Sequence, residues 1–389
     1  MSLPMTGYHS YEHFVRDMDR AVKFYTETLG YKVIGKAHAN QIETDGMERV
    51  VLAGGENIHL ILSKPLQDWS IAAQYLKRHP EGISFLNFYV PSLQEAFNYL
   101  EERGATFLYE PQWVEDGSGK FGQFAIATAL DDVSFRFIDA SNYKDFAPGF
   151  ELTQPVGSYS SPFGFKSIDH VTCNVKTLQP LMSFYKEVMG FESFWDIAFH
   201  TNDVNPNLPV GSGLKSEVVW HKDSNVKFAN NEPLAPFFRN SQIDIYLADN
   251  QGSGIQHLAF EVEDILNTMD QLTNLKSSFL QAPPNYYSNI PERLKESGFK
   301  GEIDEPLKEL EKRALLVDAS EKGYLLQIFS LELSRIHNDP QAGALFYELI
   351  QRKGDEGFGG GNFRALFETI EIDQIEMKKT AEKLPLEMI

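Results

Sequence analysis

Two histidines and one glutamate have the residue types and the setting to hold a metal ion. His170 lies in IDHV, His257 in GIQHLAF and Glu348 in ALFYELIQR, and each segment has the pattern of a short β-strand. Two imidazoles and a carboxylate form the facial ligand set of non-haem Fe(II) oxygenases, which leaves three coordination positions open. Side-chain alternation predicts that the strand around Glu348 is apolar on both faces, where an unpaired carboxylate would cost several kcal/mol. We therefore expect Glu348 to face a cation.

The elements that must position these ligands occur twice. YEHFVRDMDRAVKFYTETLGYKVI from Tyr11 resembles IDHVTCNVKTLQPLMSFYKEVMGFESF from Ile168, and GISFLNFYVPSLQEAF from Gly82 resembles GIQHLAFEVEDILNTM from Gly254. Each segment reads as a strand followed by an amphipathic helix, and so long a period indicates a duplicated domain rather than a solenoid. We predict an N-terminal domain at 1–157 and a C-terminal domain at 158–389, with the Ser-, Pro- and Gly-rich junction near 158–165.

Comparison of the two halves predicts a metal site in the second half only. We match His13 with His170, whereas Phe85 stands where His257 stands. The end of the first half has no clear equivalent of Glu348. His13 lacks partners for a metal site and is interpreted as a structural histidine.

Charge and composition exclude several classes of protein. The 389 residues include 35 Lys+Arg and 55 Asp+Glu, and the formal net charge of −20 argues against binding to nucleic acid or to an anionic membrane. The one cysteine, Cys173, cannot form an intrachain disulfide or a Cys-rich zinc site, and we expect it to pack in the core. No segment has the character of a signal peptide or a membrane span, so we expect a cytoplasmic globular protein.

A glycine-rich segment, GFGGGNF at 357–363, follows a predicted strand and precedes a predicted helix. It fails the dinucleotide-binding pattern, because Asn362 stands where the third glycine should be and no strand follows the helix. We expect it to be a hinge that places Phe358, Phe363 and the C-terminal helix over the cavity as a lid that excludes water.

Neutral amide side chains lie close to the ligands in the sequence. Gln256 precedes His257, Gln327 lies in GYLLQIFS, Asn231 in NNEP and Gln242 in NSQI. Such amides in an otherwise apolar cavity would suit an uncharged polar group of a substrate, such as a phenol.

Taken together, these segments resemble the 4-hydroxyphenylpyruvate dioxygenase family. The resemblance rests on IDHV, GIQHLAF, LLQIFS and above all FYELIQRKGDEGFGGGNFRALFETIE, and it covers nearly the whole chain. It implies an α+β fold of two tandem vicinal-oxygen-chelate domains, each built of paired βαβββ modules that form an open barrel-like sheet, plus a C-terminal helix. It also implies that Fe(II) is the cofactor and that His170, His257 and Glu348 are its ligands.

The resemblance further implies a substrate site and a reaction. The implied substrate residues are Ser216, Asn231, Gln242, Gln256, Gln327, Phe329, Phe358, Asn362 and Phe363. Of these, we expect Asn231, Gln242 and Gln256 to take part in catalysis, and the phenylalanines to clamp an aromatic ring. The implied reaction converts 4-hydroxyphenylpyruvate and O₂ to homogentisate and CO₂ in tyrosine catabolism, and we expect a homo-oligomer.

Three other functions compete with this interpretation. 4-Hydroxymandelate synthase shares the fold, metal and substrate, but it typically has an apolar residue at the position of Asn231, so the asparagine favours the dioxygenase. An extradiol catechol dioxygenase uses the same ligand types without the GFGGGNF segment. A non-catalytic protein that binds an aromatic molecule would have no need of the intact set of metal-binding residues in the second half.

Overall fold

The computed structural model describes residues 2–200, 213–234, 241–272, 278–282, 286–360 and 362. Most regular structure in these ranges is β-strand. The strands are β1 (Gly7–Phe14), β2 (Lys32–Ala37), β3 (Met47–Gly55), β4 (Ile58–Pro65), β5 (Gly82–Tyr89), β6 (Phe107–Asp116), β7 (Gly119–Ala127), β8 (Ser134–Tyr143), β9 (Phe150–Leu152), β10 (Phe165–Asn174), β11 (Glu192–His200), β12 (Gly213–His221), β13 (Val226–Pro233), β14 (Gly254–Val262), β15 (Leu316–Ser320), β16 (Gly323–Phe329) and β17 (Phe346–Lys353).

The helices are short. They are α1 (Met18–Lys23), α2 (Ala39–Asp45), α3 (Ile71–Leu76), α4 (Leu93–Glu101), α5 (Leu178–Ser183), α6 (Gln242–Asp249), α7 (Ile265–Gln271), α8 (Tyr286–Glu296), α9 (Leu307–Lys312) and α10 (Leu333–His337). Helices α1 and α5 each continue into a π-helical turn, at Phe24–Thr28 and Phe184–Val188. Among the described residues, no helix is long and apolar enough to cross a membrane.

The strands form two sheets with equivalent strand orders. The N-terminal sheet runs β6-β7-β8-β5-β1-β4-β3-β2-β9, and the C-terminal sheet, read from its far end, runs β15-β16-β17-β14-β10-β13-β12-β11. In each sheet the central strand pairs parallel with one neighbour and antiparallel with the other. Each sheet curls into an open half-barrel. The predicted duplication and α+β fold are confirmed, with β9 as an addition to the first half.

An apolar layer joins the two sheets. The aromatic rings of Phe135 and Phe228 stack across it with centroids 5.5 Å apart, and the hydroxyl of Tyr25 hydrogen-bonds that of Tyr347. Tyr347 and Glu348 are consecutive residues of a buried strand, so their side chains leave opposite faces of the sheet. The strand around Glu348 is therefore buried on both faces, as the alternation of its residues predicts.

The strand register shows that matching His13 with His170 was wrong. The two π-helical turns begin at Phe24 and Phe184, an offset of 160 residues (184 − 24). The same offset matches His170 with Ser10, and each of these two residues directly follows a bulge in the pairing with the antiparallel neighbour. Both strands have this bulge, so it cancels in the comparison, and the two histidines lie three positions apart on equivalent strands. The histidine that the two segments share is therefore not at the same position of the strand. His13 instead matches the buried Cys173.

The other two ligand positions can be matched in the same way. Phe85 pairs with Ser134 on β8, and His257 pairs with Phe346 on β17, so Phe85 does stand where His257 stands. Two residues further along each strand, Arg136 stands where Glu348 stands. The N-terminal half thus has a serine, a phenylalanine and an arginine at the three positions.

Two predictions about the ends of the domains are not tested here. Residues 153–164 contain no helix or strand, but the proposed division between 157 and 158 stays a prediction. The predicted C-terminal helix and Phe363 lie outside the described residues.

Candidate metal centre

Three neighbouring strands of the C-terminal sheet bring His170, His257 and Glu348 together. β10, β14 and β17 lie side by side and carry one of these residues each. The Nε2 atoms of His170 and His257 lie 3.2 and 3.3 Å from Oε2 of Glu348. One ligand atom from each residue lies within 4.8 Å of the others, and all three side chains are buried. The three atoms therefore face one point inside the half-barrel.

Two β-bulges in the pairing of β10 with β14 aim these side chains. Asp169 and Gln256 have no partner in the ladder, so the register shifts immediately before His170 and immediately before His257. A bulge bends a strand and redirects its side chains. As a result the face of β10 that carries His170 also carries Thr172 and Asn174, whereas Ile168, which plain alternation would place on that face, lies beyond the bulge.

A carboxylate and a guanidinium hold His170 in place. The Nδ1 N–H of His170 donates to Oδ1 of Asp169 at 2.9 Å, which leaves Nε2 directed at Glu348. Arg352 binds both oxygens of Asp169, at 2.6 and 2.7 Å, and its Nη1 donates to the carbonyl oxygens of Asp355 and Gly357. Such partners fix the tautomer and orientation of a ligating histidine.

His257 is held by ring packing instead. Its imidazole stacks on Phe346 with centroids 4.6 Å apart, and Phe329 meets its edge at 5.9 Å. Its Nδ1 has no hydrogen-bond partner among the described residues. The two candidate imidazole ligands therefore differ in their support, one electrostatic and one apolar.

Burial and charge act against each other at the centre. Burial alone would lower the pKa of His170, but the carboxylates of Glu348 and Asp169 outweigh it and raise that pKa. Burial lowers the pKa of His257, and the nearby Glu348 offsets this only in part. Burial raises the pKa of Glu348, but the two imidazoles outweigh it and lower that pKa. Glu348 is thus a buried anion whose charge needs a cation beside it.

The donor set and its burial fit a divalent transition metal. Two imidazole nitrogens and one carboxylate oxygen on three adjacent strands present the facial arrangement that suits non-haem Fe(II). The amide of Gln327 donates to Oε1 of Glu348 at 3.3 Å, so Oε2, which faces both histidines, is the oxygen positioned to bind a metal.

Next to this cluster lies a group of buried polar atoms without partners. Thr172, Asn174, Asn231 and Ser216 lie on the adjacent strands β10, β13 and β12, with Asn231 opposite both Asn174 and Ser216. Thr172 Oγ1, Asn174 Nδ2, Asn231 Oδ1 and Ser216 Oγ have no hydrogen-bond partner in the part of the chain that the structure describes. Buried polar groups are normally paired, so this group indicates a ligand that supplies the missing partners.

Aromatic rings and a chain of amides close the site. Phe358 lies 4.9 Å from the ring of His170 and stacks with Trp195 at 6.2 Å. Asn362 donates to Oε1 of Gln327 at 3.1 Å, and Tyr286 and Arg293 donate to its Oδ1 at 2.6 and 3.1 Å. The structure therefore brings Gln327, Phe329, Phe358 and Asn362 to the cluster, as the sequence implied.

The remaining residues of the expected substrate site are less directly placed. Gln256 is buried at the bulge beside His257, whereas Gln242 is the half-buried first residue of α6, which packs on β13 and β10. No hydrogen bond joins either side chain to the three ligands among the described residues. Phe363 lies outside those residues.

Sequence reasoning did not single out several residues of the site. Strand alternation places Thr172 on the face of His170, and it could have found Asn174 on the same face, whereas Asp169 lies next to His170 in the sequence. Arg352 lies four residues after Glu348 in the same conspicuous motif. Tyr286 carried no such signal, because only the tertiary fold brings it to Asn362.

Comparisons with known proteins place the chain in a family. The model of the glyoxalase/bleomycin resistance protein/dioxygenase superfamily matches residues 7–129 and 167–289, one match in each half. The 4-hydroxyphenylpyruvate dioxygenase of Dictyostelium discoideum is 32% identical over 95% of this chain and 98% of its own length, and that of Danio rerio is 32% identical over 95% and 90%. A solved structure of a triple mutant of 4-hydroxymandelate synthase from Streptomyces coelicolor is 25% identical, with a TM-score of 0.79 over 95% of this chain and 99% of its own. The chain belongs to the 4-hydroxyphenylpyruvate dioxygenase family of this superfamily.

Proposed function

We propose that this protein is an Fe(II)-dependent dioxygenase that converts 4-hydroxyphenylpyruvate and O₂ to homogentisate and CO₂, a step in tyrosine catabolism. The observation that carries the proposal is the facial cluster of His170, His257 and Glu348 beside a group of buried, unpartnered polar atoms. Relatives that span nearly the whole chain are named for this activity.

His170, His257 and Glu348 would hold the iron. Bound Fe(II) would supply the activation of O₂ and the oxidation of a 2-oxo acid that chelates it. The protein would fix the ligands: Asp169 and Arg352 orient His170, Phe346 packs on His257, and Gln327 binds the Oε1 of Glu348.

The polar group beside the metal would bind the hydroxyl end of the substrate. Asn231 Oδ1 is a free acceptor for a phenolic O–H, and Ser216 Oγ and Asn174 Nδ2 are free to donate to the phenolic oxygen. We assign Asn231, Gln242 and Gln256 to substrate positioning during catalysis. A site that pairs each polar atom with the substrate discriminates strongly against analogues that lack the hydroxyl.

The aromatic side chains would exclude water and clamp the ring. Phe358 and Phe329 already contact the two histidine rings, and Phe363 follows Phe358 in the same segment. A cavity with aromatic walls and few polar groups strengthens each electrostatic interaction inside it by excluding solvent. The placement of Phe363 over the ring remains a prediction.

A second candidate function is 4-hydroxymandelate synthesis from the same substrate. The similarity to a solved 4-hydroxymandelate synthase over 95% of the chain supports it. The asparagine at position 231 favours the dioxygenase, as the resemblance of the sequence to that family implies. The cytoplasmic location and a homo-oligomeric state also stay predictions.

Product analysis separates these functions. The purified chain is loaded with Fe(II) without oxygen, then supplied with 4-hydroxyphenylpyruvate and O₂, and the products are separated by chromatography. We expect homogentisate and one CO₂ per O₂ consumed, and none of either with Glu348→Ala. 4-Hydroxymandelate would assign the chain to the second function, and the absence of both products and of O₂ uptake would contradict both proposals.

A further inference from the structure

The N-terminal half-barrel contains a cavity that the metal chemistry of the C-terminal half does not use. It has a volume of about 340 Å³ and is lined by residues of β1, β3 to β8, α2, and β9 with the segment before it. Ser10 and Arg136, which match His170 and Glu348 in register, both lie on its wall. The cavity is thus the counterpart of the metal centre, with a guanidinium where the other half has a carboxylate.

Two arginines, Arg49 and Arg136, and two carboxylates, Glu12 and Asp45, are the charged residues of this cavity wall. Glu12 is 1% exposed and accepts hydrogen bonds from Ser63 at 2.7 Å and from Nη1 of Arg136 at 3.3 Å. Nε of Arg49 lies 3.6 Å from the other side of the same carboxylate, and its Nη1 pairs with Asp45 at 2.7 Å. Both oxygens of Glu12 are therefore already engaged.

Among the charged groups of the cavity, the hydrogen-bonding capacity left over belongs to donors. Arg136 uses Nε for Tyr109 and Nη1 for Glu12 and Asn87, and its Nη2 has no acceptor among the described residues. Arg49 faces Glu12 with Nε and Asp45 with Nη1, and its Nη2 has no acceptor in the same part of the chain. Unpaired guanidinium N–H groups in a cavity favour a ligand that brings a planar pair of acceptor oxygens.

The neighbouring polar groups leave this preference unchanged. His9 contacts Ser10 and the carbonyl oxygen of Phe146, and burial lowers its pKa to about 3, so it stays neutral near pH 7. Asn87 donates to Ser10 at 2.8 Å. These groups therefore add no charge that would repel an anion.

The rest of the wall combines three amide side chains, Gln41, Gln112 and Gln123, with a larger set of apolar residues. Its apolar members are Ile61, Val114, Phe121, Ile138, Phe146, Ala147, Pro148 and Phe150. A ligand that fills such a space needs an apolar body as well as its acceptor group. The cavity volume lies at the lower end of small-molecule sites, which limits the ligand to a compact molecule.

We propose that the N-terminal half holds a second small-molecule site, which binds a compact carboxylic acid with an apolar body through Arg136 and Arg49. The carboxylate would pair with the free edges of the two guanidinium groups, and the body would lie against the aromatic wall. The site needs no metal, and the proposal does not depend on the reaction of the C-terminal half.

Equilibrium dialysis of the full-length, metal-free protein with labelled phenylacetate tests this site. Arg136→Gln removes the anchoring donor, and Gln123→Trp fills the cavity from its half-buried wall without removing an ion pair. We expect Arg136→Gln to weaken binding by about tenfold or more, the size of a lost charge-assisted hydrogen bond. Gln123→Trp should weaken it at least as much, because the indole ring would occupy the space of the ligand. Asn231→Leu, in the other cavity, is expected to leave binding unchanged.

The design separates the two cavities and guards against misfolding. If Arg136→Gln does not fold, as judged by circular dichroism, Gln123→Trp alone decides the outcome. 2-Phenylethanol, which has the ring but no carboxylate, should bind far more weakly. The proposal is overturned if phenylacetate does not bind saturably, if folded Gln123→Trp binds it as wild type does, if Asn231→Leu abolishes binding, or if 2-phenylethanol binds equally well.

Discussion

Arg352 binds both carboxylate oxygens of Asp169, at 2.6 and 2.7 Å, and Asp169 in turn accepts the Nδ1 proton of His170. Because Arg352 also donates to the carbonyl oxygens of Asp355 and Gly357, this pair connects the candidate metal ligand to the segment that carries Phe358. Burial opposes the charge of Asp169, but the hydrogen bonds from Arg352 and His170 outweigh it and hold its pKa well below the ordinary value. Asp169 is thus an anion that orients His170 and couples it to the segment that carries Phe358.

We expect Asp169→Asn to weaken Fe(II) binding by about 10- to 100-fold, the usual cost of removing the hydrogen-bond partner of a ligating histidine. Anaerobic titration of the metal-free protein with Fe(II) gives the dissociation constant directly. Asp270→Asn is the matched control, since Asp270 forms a similar two-bond pair with Arg313 elsewhere in the same half. Equal Fe(II) affinities for wild type and Asp169→Asn would show that Asp169 does not support the site.

Glu348→Ala should abolish Fe(II) binding at this site while the N-terminal half keeps its structure. The substitution removes the only carboxylate of the described cluster and leaves two imidazoles, which cannot complete a facial set. Bound iron after dialysis and the near-ultraviolet circular dichroism spectrum measure the two effects separately. Glu356→Ala is a control, because the side chain of Glu356 is 71% exposed and paired only at the surface. Retention of stoichiometric iron and full turnover by Glu348→Ala would refute the ligand assignment.

Asn231→Ala should raise KM for 4-hydroxyphenylpyruvate by about tenfold and leave Fe(II) affinity unchanged. The free Oδ1 of Asn231 would lose its bond to the substrate, and one lost hydrogen bond in a buried site costs about 1–3 kcal/mol. Initial rates over a range of substrate concentrations, together with the Fe(II) titration, separate substrate binding from metal binding. The exposed Asn142→Ala should behave as wild type. A loss of iron affinity without a change in KM would place Asn231 in support of the metal rather than of the substrate.

The sequence was sufficient to predict the duplicated fold and the three candidate ligands. His257 and Glu348 stand in strands with strong alternating or continuous apolar patterns, and those strands fix the direction of each side chain. It was harder to predict which residues of the two halves correspond. The shared histidine in YEHF and IDHV suggested a match between His13 and His170, but the strand register matches His170 with Ser10. The two histidines stand three positions apart on equivalent strands, and a shared residue type does not reveal this before the strand pairing is known.

Much of the support around the centre could not be predicted for a different physical reason. Tyr286 reaches Asn362 across 76 residues, and Arg352 reaches Asp169 across 183. Such contacts depend on how the sheet curls and not on local pattern. The correspondence of Arg136 in the first half with Glu348 in the second likewise becomes visible only when β8 and β17 are aligned by their pairing with β5 and β14.

The buried His13 should make the protein less stable as the pH falls below neutral. Its Nδ1 contacts the hydroxyl of Tyr25 at 2.9 Å, and its Nε2 has no partner among the described residues. Burial, and then the charges of Arg20 and His337, lower its pKa from 6.5 to about 3. Between these two values the unfolded chain binds a proton that the folded chain does not. Above pH 6.5 the neutral His13 therefore takes nothing from the free energy of unfolding. Between pH 6.5 and pH 3 its burial lowers the free energy of unfolding by about 1.4 kcal/mol for each unit of decreasing pH.

Urea unfolding of His13→Gln at several pH values between 6.5 and 4.5 measures this contribution. We expect the free energy of unfolding of the variant to fall less steeply with decreasing pH than that of wild type, by up to about 1.4 kcal/mol per pH unit, even though the substitution lowers stability at neutral pH. His38→Gln removes an exposed imidazole from the same half and should keep the wild-type slope. Parallel slopes for wild type and His13→Gln would mean that His13 accepts a proton in the folded protein, and the structural role assigned to its neutral form would then be wrong.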